Sequence, residues 1–373
     1  MMLDAEVIVI GGGAMGSATA RDLARRGTDV VLLERFGPGH VNGASHGASR
    51  NFNVAYADPT YVSMLTEALA AWRELERETG AELLDQVGIV NHGANPAFDD
   101  VHAALTAVGI AAEFLPVGQA DRRWPGIRFD SRVLFTPEAG RLHADNSVAA
   151  LQASAAAHGA EVRHHARVSR LDVRGDDLIE LVLESGQTLR ARRVVVTVGA
   201  WTLNLLGARI AVPLVVTQEQ PAHFRVRDDD LTWPGFNHAP SASAAYDYWR
   251  SGVYGVYTPG EGMKAGWHGA GPVTDPDARS FLPEPVQLAA LQRYAREWLP
   301  GVDADELVPI SCTYTTSPDS NFVLDRVGPV VVGTGFSGHG FKFTPSVGRI
   351  LADLALDAGP APALFSLTAD RAR

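Results

Sequence analysis

A strand, a glycine-rich turn, a helix and a second strand follow one another in residues 6–34, and this run limits the folds open to the chain. Residues 7–10 are β-branched and apolar without polar alternation, as in a strand buried on both faces of a parallel sheet. The residues that follow match G-x-G-x-x-G, and a helical pattern then continues to Arg26, where Gly27 ends it. The order of these elements predicts a Rossmann-like dinucleotide-binding unit.

The three glycines of the motif have separate physical roles. Gly11 permits a tight turn, Gly13 lets a pyrophosphate approach the backbone, and Gly16 lets helix and strand pack closely. The phosphates then lie at the helix N-terminus, and Glu34, after the second strand, can accept the hydroxyls of an adenosine ribose. An acid at this position would repel the 2′-phosphate of NADP, but it does not distinguish NAD from FAD.

Composition excludes several classes of protein. A chain of 373 residues with 46% hydrophobic and 20% charged residues is long enough for two domains with substantial cores. The net charge of −11 argues against a nucleic-acid partner or an anionic membrane. The N-terminus leads directly into the nucleotide motif and no stretch reaches the length of a membrane span, so we expect a cytoplasmic protein. The single cysteine, Cys312, excludes an intrachain disulfide, and no metal site is predicted.

Buried-strand patterns like the first recur at residues 193–198 and 330–335, and β-rich stretches lie between them. We therefore predict an α/β fold in which a Rossmann-like domain is interleaved with an α+β substrate domain built on a mainly antiparallel sheet. The Rossmann-like domain would comprise residues 1–80, 145–212 and 310–373, and the substrate domain residues 81–144 and 213–309.

Several elements are predicted with enough detail to be compared with the structure. Asp58 and Pro59 open a helix whose apolar stripe, which includes Trp72, is interpreted as core packing. The aromatic stretches 246–249 and 253–257 predict strands, and a helix is expected near residues 286–298.

Three further stretches carry candidate chemistry. Lys264 and His268 can share one face of a strand, but a surface lysine and a packed histidine remain the alternative. Cys312 is open to interpretation as a buried thiol, a nucleophile or a point of cofactor attachment. The glycine-rich residues 335–342 suit a polar ring system or an anion, although such turns also occur in other α/β folds.

The loop after the nucleotide unit holds Arg50, with Asn53 and Tyr56 beyond it. Its small residues and hydroxyls suit a loop that passes a cofactor, while simple solvation of these side chains remains the alternative.

Six motifs follow the nucleotide unit in collinear order: Asn42-Gly43…His46-Gly47…Arg50, Arg123-Trp124-Pro125-Gly126, Gly199-Ala200-Trp201, Lys264…His268, Cys312-Thr313-Tyr314-Thr315, and Gly335-Phe336-Ser337-Gly338-His339-Gly340-Phe341-Lys342. Together they resemble the monomeric sarcosine oxidase and N-methyltryptophan oxidase family of D-amino-acid-oxidase-type flavoproteins. The resemblance covers almost the whole chain, and its last two motifs are the specific ones.

The resemblance implies FAD, and not NAD, as the cofactor, so the Rossmann-like domain becomes an FAD-binding domain. Cys312 matches the cysteine that carries the flavin through a thioether on its 8-methyl group. Lys264 is placed over the flavin, where its positive charge helps dioxygen to accept electrons. His268 and Tyr254 match residues of the substrate pocket, and Lys342 matches a cation that holds the substrate carboxylate. The expected catalytic residues are Lys264, His268, Tyr254, Lys342 and Arg50.

The motif and the resemblance together place a larger set of residues at the cofactor, with the backbone of Val168 at the adenine. These residues are Gly11, Gly13, Ala14, Met15, Gly16, Glu34, Arg35, Gly43, Ser45, Arg50, Val168, Gly199, Trp201, Cys312, Gly335, Gly338, His339, Gly340 and Lys342.

The implied activity is oxidation of the C–N bond of a secondary amine, such as an N-methyl or cyclic amino acid. Hydride passes to flavin N5, water hydrolyses the imine, and dioxygen is reduced to hydrogen peroxide. The expected partners are the small amine and dioxygen, and the expected state is a monomer. A flavin dehydrogenase or imine-oxidising biosynthetic enzyme with another electron acceptor, and a flavin-binding subunit of a larger complex, are the alternatives.

One position departs from the family pattern. Three residues beyond Arg50 the family usually has a second arginine that pairs with the lysine on the carboxylate, and here that residue is Asn53. A neutral amide cannot supply a bidentate cationic fork. The departure implies a substrate bulkier than sarcosine, one that carries its acid elsewhere, or one without a carboxylate.

Overall fold

The computed structural model describes residues 3–371. Within them the helices are α1 (Ala14–Arg25), α2 (Pro59–Thr79), α3 (Phe98–Ala107), α4 (Val117–Arg123), α5 (Ala144–Ala157), α6 (Thr202–Leu206), α7 (Pro285–Trp298) and α8 (Thr344–Ala355). A search of the same residues finds no helix whose length and apolarity suit a bilayer crossing.

The strands over that range are β1 (Ala5–Ile10), β2 (Val30–Leu33), β3 (Ser49–Phe52), β4 (Leu84–Asp85), β5 (Ile89–Gly93), β6 (Glu113–Leu115), β7 (Val133–Thr136), β8 (Gly140–His143), β9 (Glu161–Arg163), β10 (Val168–Gly175), β11 (Leu178–Leu183), β12 (Thr188–Val196), β13 (Val215–Glu219), β14 (Ala222–Val226), β15 (Gly235–Ala239), β16 (Val253–Thr258), β17 (Gly262–Trp267), β18 (Val302–Pro309), β19 (Cys312–Thr316), β20 (Val323–Val327) and β21 (Val330–Thr334).

The first large sheet is built around β1. This strand pairs in parallel with β2 and β12, β9 continues beyond β2, and β21 lies beside β12. The antiparallel strands β10, β11 and β20 extend the sheet at its margins. The three buried-strand patterns at the start, middle and end of the chain therefore meet in one sheet, which confirms the predicted Rossmann-like arrangement.

Helix α1 packs against α5 and α8 beside this sheet, and α2 packs against α5 and α8 as well. The apolar stripe of α2 is buried in the core, as predicted, and Trp72 also donates a hydrogen bond from Nε1 to the carbonyl of Lys342 at 3.1 Å. The predicted N-cap is present too, since the Asp58 carboxylate accepts from the amide of Thr60 at 2.8 Å.

The second large sheet has the strand order β18-β14-β17-β16-β15-β5-β7-β6. It is antiparallel except where β5 and β15 run in parallel, so the prediction of a mainly antiparallel sheet is right. Helix α7 packs beside it. This sheet draws its strands from residues 89–309, whereas the first draws its own from residues 5–33, 161–196 and 323–334.

The strand predicted at residues 246–249 is wrong, because Tyr246 is the last residue of a 3₁₀ turn and residues 247–248 form a further turn. The amide of Trp249 donates to the carbonyl of Tyr246 at 2.9 Å. In a strand these two side chains would point to opposite faces. In the turn both rings reach Trp298, with centroids 5.7 and 6.1 Å from it, and this aromatic packing outweighs the strand propensity.

Two small sheets connect distant parts of the chain. Strand β8 pairs with β3 and β4, and β13 pairs with β19. The β8–β3 and β13–β19 pairings join segments that the predicted domain boundaries assign to different domains, whereas β8 and β4 both lie in the predicted substrate domain. The division into a cofactor domain and a substrate domain therefore stays a prediction.

Gly16→Ala tests the close approach of α1 to the turn after β1. A Cβ at Gly16 would lie 1.9 Å from the carbonyl oxygen of Gly11 and 2.5 Å from Thr197 Oγ1, so the helix must shift. Overpacking costs about 1–3 kcal/mol, whereas the better helix propensity of alanine returns at most about 1 kcal/mol. We expect a lower free energy of unfolding in urea denaturation.

Gly175→Ala is the matched control, because a Cβ there would have no heavy atom within 4 Å. We expect it to leave the free energy of unfolding within about 0.5 kcal/mol of wild type. Equal stability of the Gly16→Ala protein and wild type would contradict the packing role of Gly16.

Candidate active site

A cavity of about 1080 Å³ is lined by residues from both large sheets. Its volume lies just above the usual range for small-molecule sites, about 300–1,000 Å³. The predicted site residues that line it are Gly11, Gly13, Ala14, Met15, Glu34, Arg35, Gly43, Ser45, Arg50, Val168, Gly199, Trp201, Tyr254, Lys264, His268, Cys312, Gly338, His339, Gly340 and Lys342. Gly16 and Gly335 pack behind the wall, against Gly11 and Val323 respectively.

The turn between β1 and α1 forms one part of this cavity. Gly11 has φ +101°, and a Cβ there would lie 2.6 Å from the carbonyl oxygen of Thr197. Gly13 is the N-cap of α1 and has no side chain to occupy the helix terminus. Ser45 Oγ accepts from the amide of Ala14 at 3.0 Å. Ser45 satisfies this one amide, and the absence of a side chain at Gly13 leaves room for an anionic ligand such as a pyrophosphate at the helix N-terminus.

Glu34 is a buried acid on the cavity wall. Its Oε2 accepts from the amide of Gly12 at 2.7 Å, and its Oε1 accepts from the amide of Phe36 at 2.9 Å. Burial alone would raise the pKa of this carboxyl, but the hydrogen bonds from His40 and these amides outweigh burial and lower it. The group is therefore an anionic acceptor at neutral pH.

Arg50 holds the loop that follows the nucleotide unit. Its guanidinium donates hydrogen bonds to the carbonyls of Ala44 (2.8 Å), His46 (2.6 Å) and Ser49 (2.8 Å). Simple solvation of Arg50 is therefore wrong as an interpretation. Cys312 lies beside this loop, and the Sγ atom of its partly buried thiol is 3.9 Å from the carbonyl oxygen of Ala44.

The hairpin of β16 and β17 presents several side chains to the cavity. Tyr254 is opposite Gly266 in register, and Val256 is opposite Lys264. Directly opposed and alternate residues share one face of a sheet, so Tyr254, Lys264 and His268 point the same way. All three line the cavity. The strand prediction is confirmed, and the alternative of a surface lysine is wrong because Lys264 is 3% exposed.

The ammonium of Lys264 donates to the carbonyl of Ser49 at 3.0 Å. Burial, followed by the positive charge of Arg50, lowers the pKa of Lys264 to about 7. Throughout residues 3–371 no carboxylate lies within ion-pair distance of it. The side chain of Lys264 therefore gains or loses its positive charge near neutral pH.

Lys342 is the second buried ammonium of the cavity and is 6% exposed. It donates to the carbonyl of His339 at 2.6 Å and to the hydroxyl of Tyr56 at 3.0 Å. Burial lowers its pKa to about 7, and it too has no carboxylate partner in the described part of the chain. A buried cation without a counterion is costly, so an anionic ligand here offsets that cost.

These two residues are the only lysines among the 32 lysines and arginines of the sequence. The arginines lie mostly in ion pairs with carboxylates elsewhere on the protein. Arginine stays charged in proteins, whereas lysine changes its pKa readily on burial. The chain thus has lysine only where burial in the cavity makes its charge sensitive to pH.

Two side chains of the site received no role from the sequence. Tyr314 lines the cavity, and its hydroxyl lies 3.4 Å from His268 Nδ1. Its even spacing from Cys312 on β19 places both side chains on one face of the strand, and this spacing could have indicated its place in the site. Asn237 also lines the cavity, and its Nδ2 donates to Asn91 Oδ1 at 3.0 Å. Only the parallel pairing of β5 and β15 brings these two asparagines together, so no local pattern could have found them.

Comparison with known proteins agrees with this geometry. The chain matches the family described as FAD dependent oxidoreductase over residues 6–354. Monomeric sarcosine oxidase of Bacillus sp. (strain NS-129) is 32% identical over 364 residues, which cover 94% of this chain and 92% of that protein. N-methyl-L-tryptophan oxidase of Yersinia pestis (strain Pestoides F) is 28% identical over 370 residues, with 96% and 97% covered.

The fold is similar to the solved structure of NikD, an unusual amino acid oxidase essential for nikkomycin biosynthesis. The TM-score is 0.84 at 27% sequence identity, with 97% of this chain and 96% of that chain covered. The residues present also fit FAD, because the α1 N-terminus and the buried Glu34 line the same cavity of about 1080 Å³. The chain therefore belongs to the FAD-dependent oxidoreductase family, and it is an enzyme that uses FAD.

Proposed function

We propose that the protein is an amine oxidase that acts on the C–N bond of a secondary amine, an N-methyl or cyclic amino acid, with dioxygen as the electron acceptor. The proposal depends on one observation: two buried lysines, neither of them paired with a carboxylate of the described chain, lie in the cavity that the glycine-rich turn also lines. FAD, when bound, accepts a hydride from the carbon next to the substrate nitrogen and passes the electrons to dioxygen. The imine product is hydrolysed by water.

Lys342 is the residue proposed to hold the substrate carboxylate. Its ammonium is kept in place by the hydroxyl of Tyr56 and the carbonyl of His339. His339 Nδ1 lies 3.1 Å from the Tyr56 hydroxyl and its Nε2 lies 3.0 Å from the carbonyl of Ser320. Burial, followed by the charge of Lys342, lowers the pKa of His339 to about 3, so this histidine is neutral and does not compete for the carboxylate.

His268, Tyr254 and Tyr314 are proposed to line the space for the amine. Burial, and then the charge of Lys342, lowers the pKa of His268, while burial raises the pKa of both tyrosines. All three are uncharged at neutral pH. The nearby cations disfavour a protonated amine, and the neutral amine is the form that can lose hydride. The rate of flavin reduction by bound substrate is therefore expected to rise with pH, whereas affinity for the substrate carboxylate falls as Lys342 loses its charge.

Lys264 is proposed to promote the reaction with dioxygen. Its ammonium is fixed by the carbonyl of Ser49, at the face that β16 and β17 present to the cavity. A fixed positive charge stabilises the negative charge that develops on dioxygen as it is reduced. This supports dioxygen over another electron acceptor.

Asn53 narrows the choice of substrate. It lines the cavity, its Nδ2 contacts Asn91 Oδ1 at 3.4 Å, and its Oδ1 accepts from the amide of Ala55 at 3.2 Å. Position 53 therefore supplies no second cation to act with Lys342 on a carboxylate. Losing one charged hydrogen bond to a carboxylate costs about 1.5–3 kcal/mol of binding. We propose a substrate bulkier than sarcosine, whose additional contacts offset this loss. The monomeric state and the cytoplasmic location stay predictions.

Cys312→Ser tests covalent attachment of the flavin. We expect acid precipitation of the wild-type protein to leave a yellow pellet, because a thioether survives acid. The serine variant is expected to release its colour to the supernatant or to lack bound flavin, as measured by absorbance of both fractions. A colourless wild-type pellet would show that the flavin is held without a covalent bond.

Lys264→Met tests the role of the positive charge toward dioxygen. Methionine keeps the length and the apolar stem of the side chain, so flavin reduction by substrate under anaerobic conditions is expected to change little. Reoxidation by dioxygen is expected to slow by at least about 100-fold, in line with the loss of about 2.7 kcal/mol from a preorganised electrostatic contact. Both rates are measured by stopped-flow absorbance, and unchanged reoxidation would remove this role.

The lowered pKa of Lys342 predicts a pH-dependent affinity for carboxylates. Its ammonium is charged below about pH 7 and neutral above it, while benzoate is ionised throughout. We expect the benzoate affinity of the FAD-loaded enzyme to fall by up to about tenfold per pH unit above pH 7. Titrations followed by flavin absorbance measure this.

Two controls assign the effect to Lys342. Neutral benzamide is expected to show no comparable pH dependence. Lys342→Met is expected to bind benzoate weakly at every pH, whereas Lys264→Met should retain the dependence. A benzoate affinity that is constant from pH 6 to 9 would contradict the assignment.

A further inference from the structure

A second cluster of ionisable side chains lies behind the strands that carry Asn91 and Asn237. Strands β5 and β15 pair in parallel, with Asn91 opposite Asn237 and His92 opposite His238. Side chains alternate between the two faces of a strand, so the histidines point away from the asparagines and lie side by side. Asp130, in the loop between α4 and β7, approaches both histidines.

The three candidate ligand atoms of this cluster lie close together. His92 Nδ1 is 3.7 Å and His238 Nε2 is 3.5 Å from the same atom, Asp130 Oδ1, and the three atoms all lie within 4.8 Å of one another. Bonds of about 2.0–2.1 Å in a tetrahedral zinc site place neighbouring ligand atoms about 3.4 Å apart. Shifts of a few tenths of an ångström bring both nitrogens to that separation from the oxygen.

Three of the four nitrogens of these histidines have no hydrogen-bond partner in the described residues. His92 is 0% and His238 is 1% exposed. Over residues 3–371, His92 Nδ1, His92 Nε2 and His238 Nε2 make no hydrogen bond. The contacts to Asp130 are longer than ordinary hydrogen bonds, and buried polar atoms in this state call for an ion or a water.

We propose that His92, His238 and Asp130 bind a divalent transition-metal ion, with Zn²⁺ as the preferred ion. Two imidazoles and a carboxylate are ligands that zinc takes in four-coordinate sites, and water would fill the fourth position. The side chain of Asp130 is 30% exposed, which leaves a route for the ion to enter.

The groups around the cluster are those that orient metal ligands. His238 Nδ1 lies 3.2 Å from the hydroxyl of Tyr294, which leaves Nε2 for the ion, and the hydroxyl of Tyr246 donates to Asp130 Oδ2. The two imidazole rings are stacked, with centroids 3.8 Å apart and planes tilted by 29°. One ring must turn to direct its lone pair at the ion, and His92 has no hydrogen bond to lose when it turns.

A metal here would join β5 to β15 on the face opposite Asn91 and Asn237. Its role would be structural, because it fixes the position of β5 against β15, the strand that lines the cavity through residues 237–239. The proposal is independent of the proposed oxidase activity.

Metal content of the full-length, FAD-loaded protein without a polyhistidine tag tests the site. The protein is incubated with Zn²⁺, passed through gel filtration and analysed by mass spectrometry of the elements. We expect about one zinc per chain in wild type and at least tenfold less in Asp130→Asn. Asp99→Asn is the matched control, because Asp99 is an exposed acid paired with Arg132, and it should keep the wild-type zinc content.

Tyr246→Phe provides a milder variant that leaves all three ligands in place. Loss of its hydrogen bond to Asp130 is expected to weaken zinc binding by about 10–100-fold, as measured by competition with a chromophoric chelator. Co²⁺ in place of Zn²⁺ is expected to give the visible absorption of a tetrahedral site in wild type. Less than about 0.1 zinc per chain in wild type, or equal zinc in wild type and Asp130→Asn, would overturn the proposal.

Discussion

Two ammonium groups buried without a counterion are the constraint on which the site depends. Lys264 and Lys342 lie in one cavity, and burial lowers the pKa of each to about 7. Backbone carbonyls and one tyrosine hydroxyl partly satisfy them, but no carboxylate of the described chain does. This remaining positive potential supports the roles proposed for them, with the anionic end of the substrate at Lys342 and reduced dioxygen at Lys264.

The scaffold that holds these charges combines three distant parts of the chain. The β16–β17 hairpin positions Lys264, the loop 335–342 positions Lys342, and the loop near Arg50 supplies the carbonyl that Lys264 contacts. Arg50 orders its own loop through three backbone carbonyls, and Trp72 of α2 binds the carbonyl of Lys342. Arg50 and Trp72 thus help to position the segments that hold the two charges.

Local sequence patterns predicted much of the fold but only part of the site. The nucleotide unit, the N-cap at Asp58 and the placement of Lys264 on a strand followed from glycine spacing, capping and alternation. The same rules failed at residues 246–249, where aromatic packing on Trp298 prevails, and they could not show that Lys264 is buried. They also gave no signal for the proposed metal site, because His92, Asp130 and His238 are far apart in sequence.

The sequence by itself determined the dinucleotide-binding start, the order of the family motifs and the flavin chemistry that these motifs imply, because each depends on residues close together in the chain. The tertiary structure alone decided which lysines lose their solvent, which asparagines and histidines become neighbours, and where Tyr314 meets His268. The physical reason is the register of paired strands: a pairing such as that of β5 with β15 joins residues about 146 apart, as Asn91 and Asn237 are, and no local pattern encodes it.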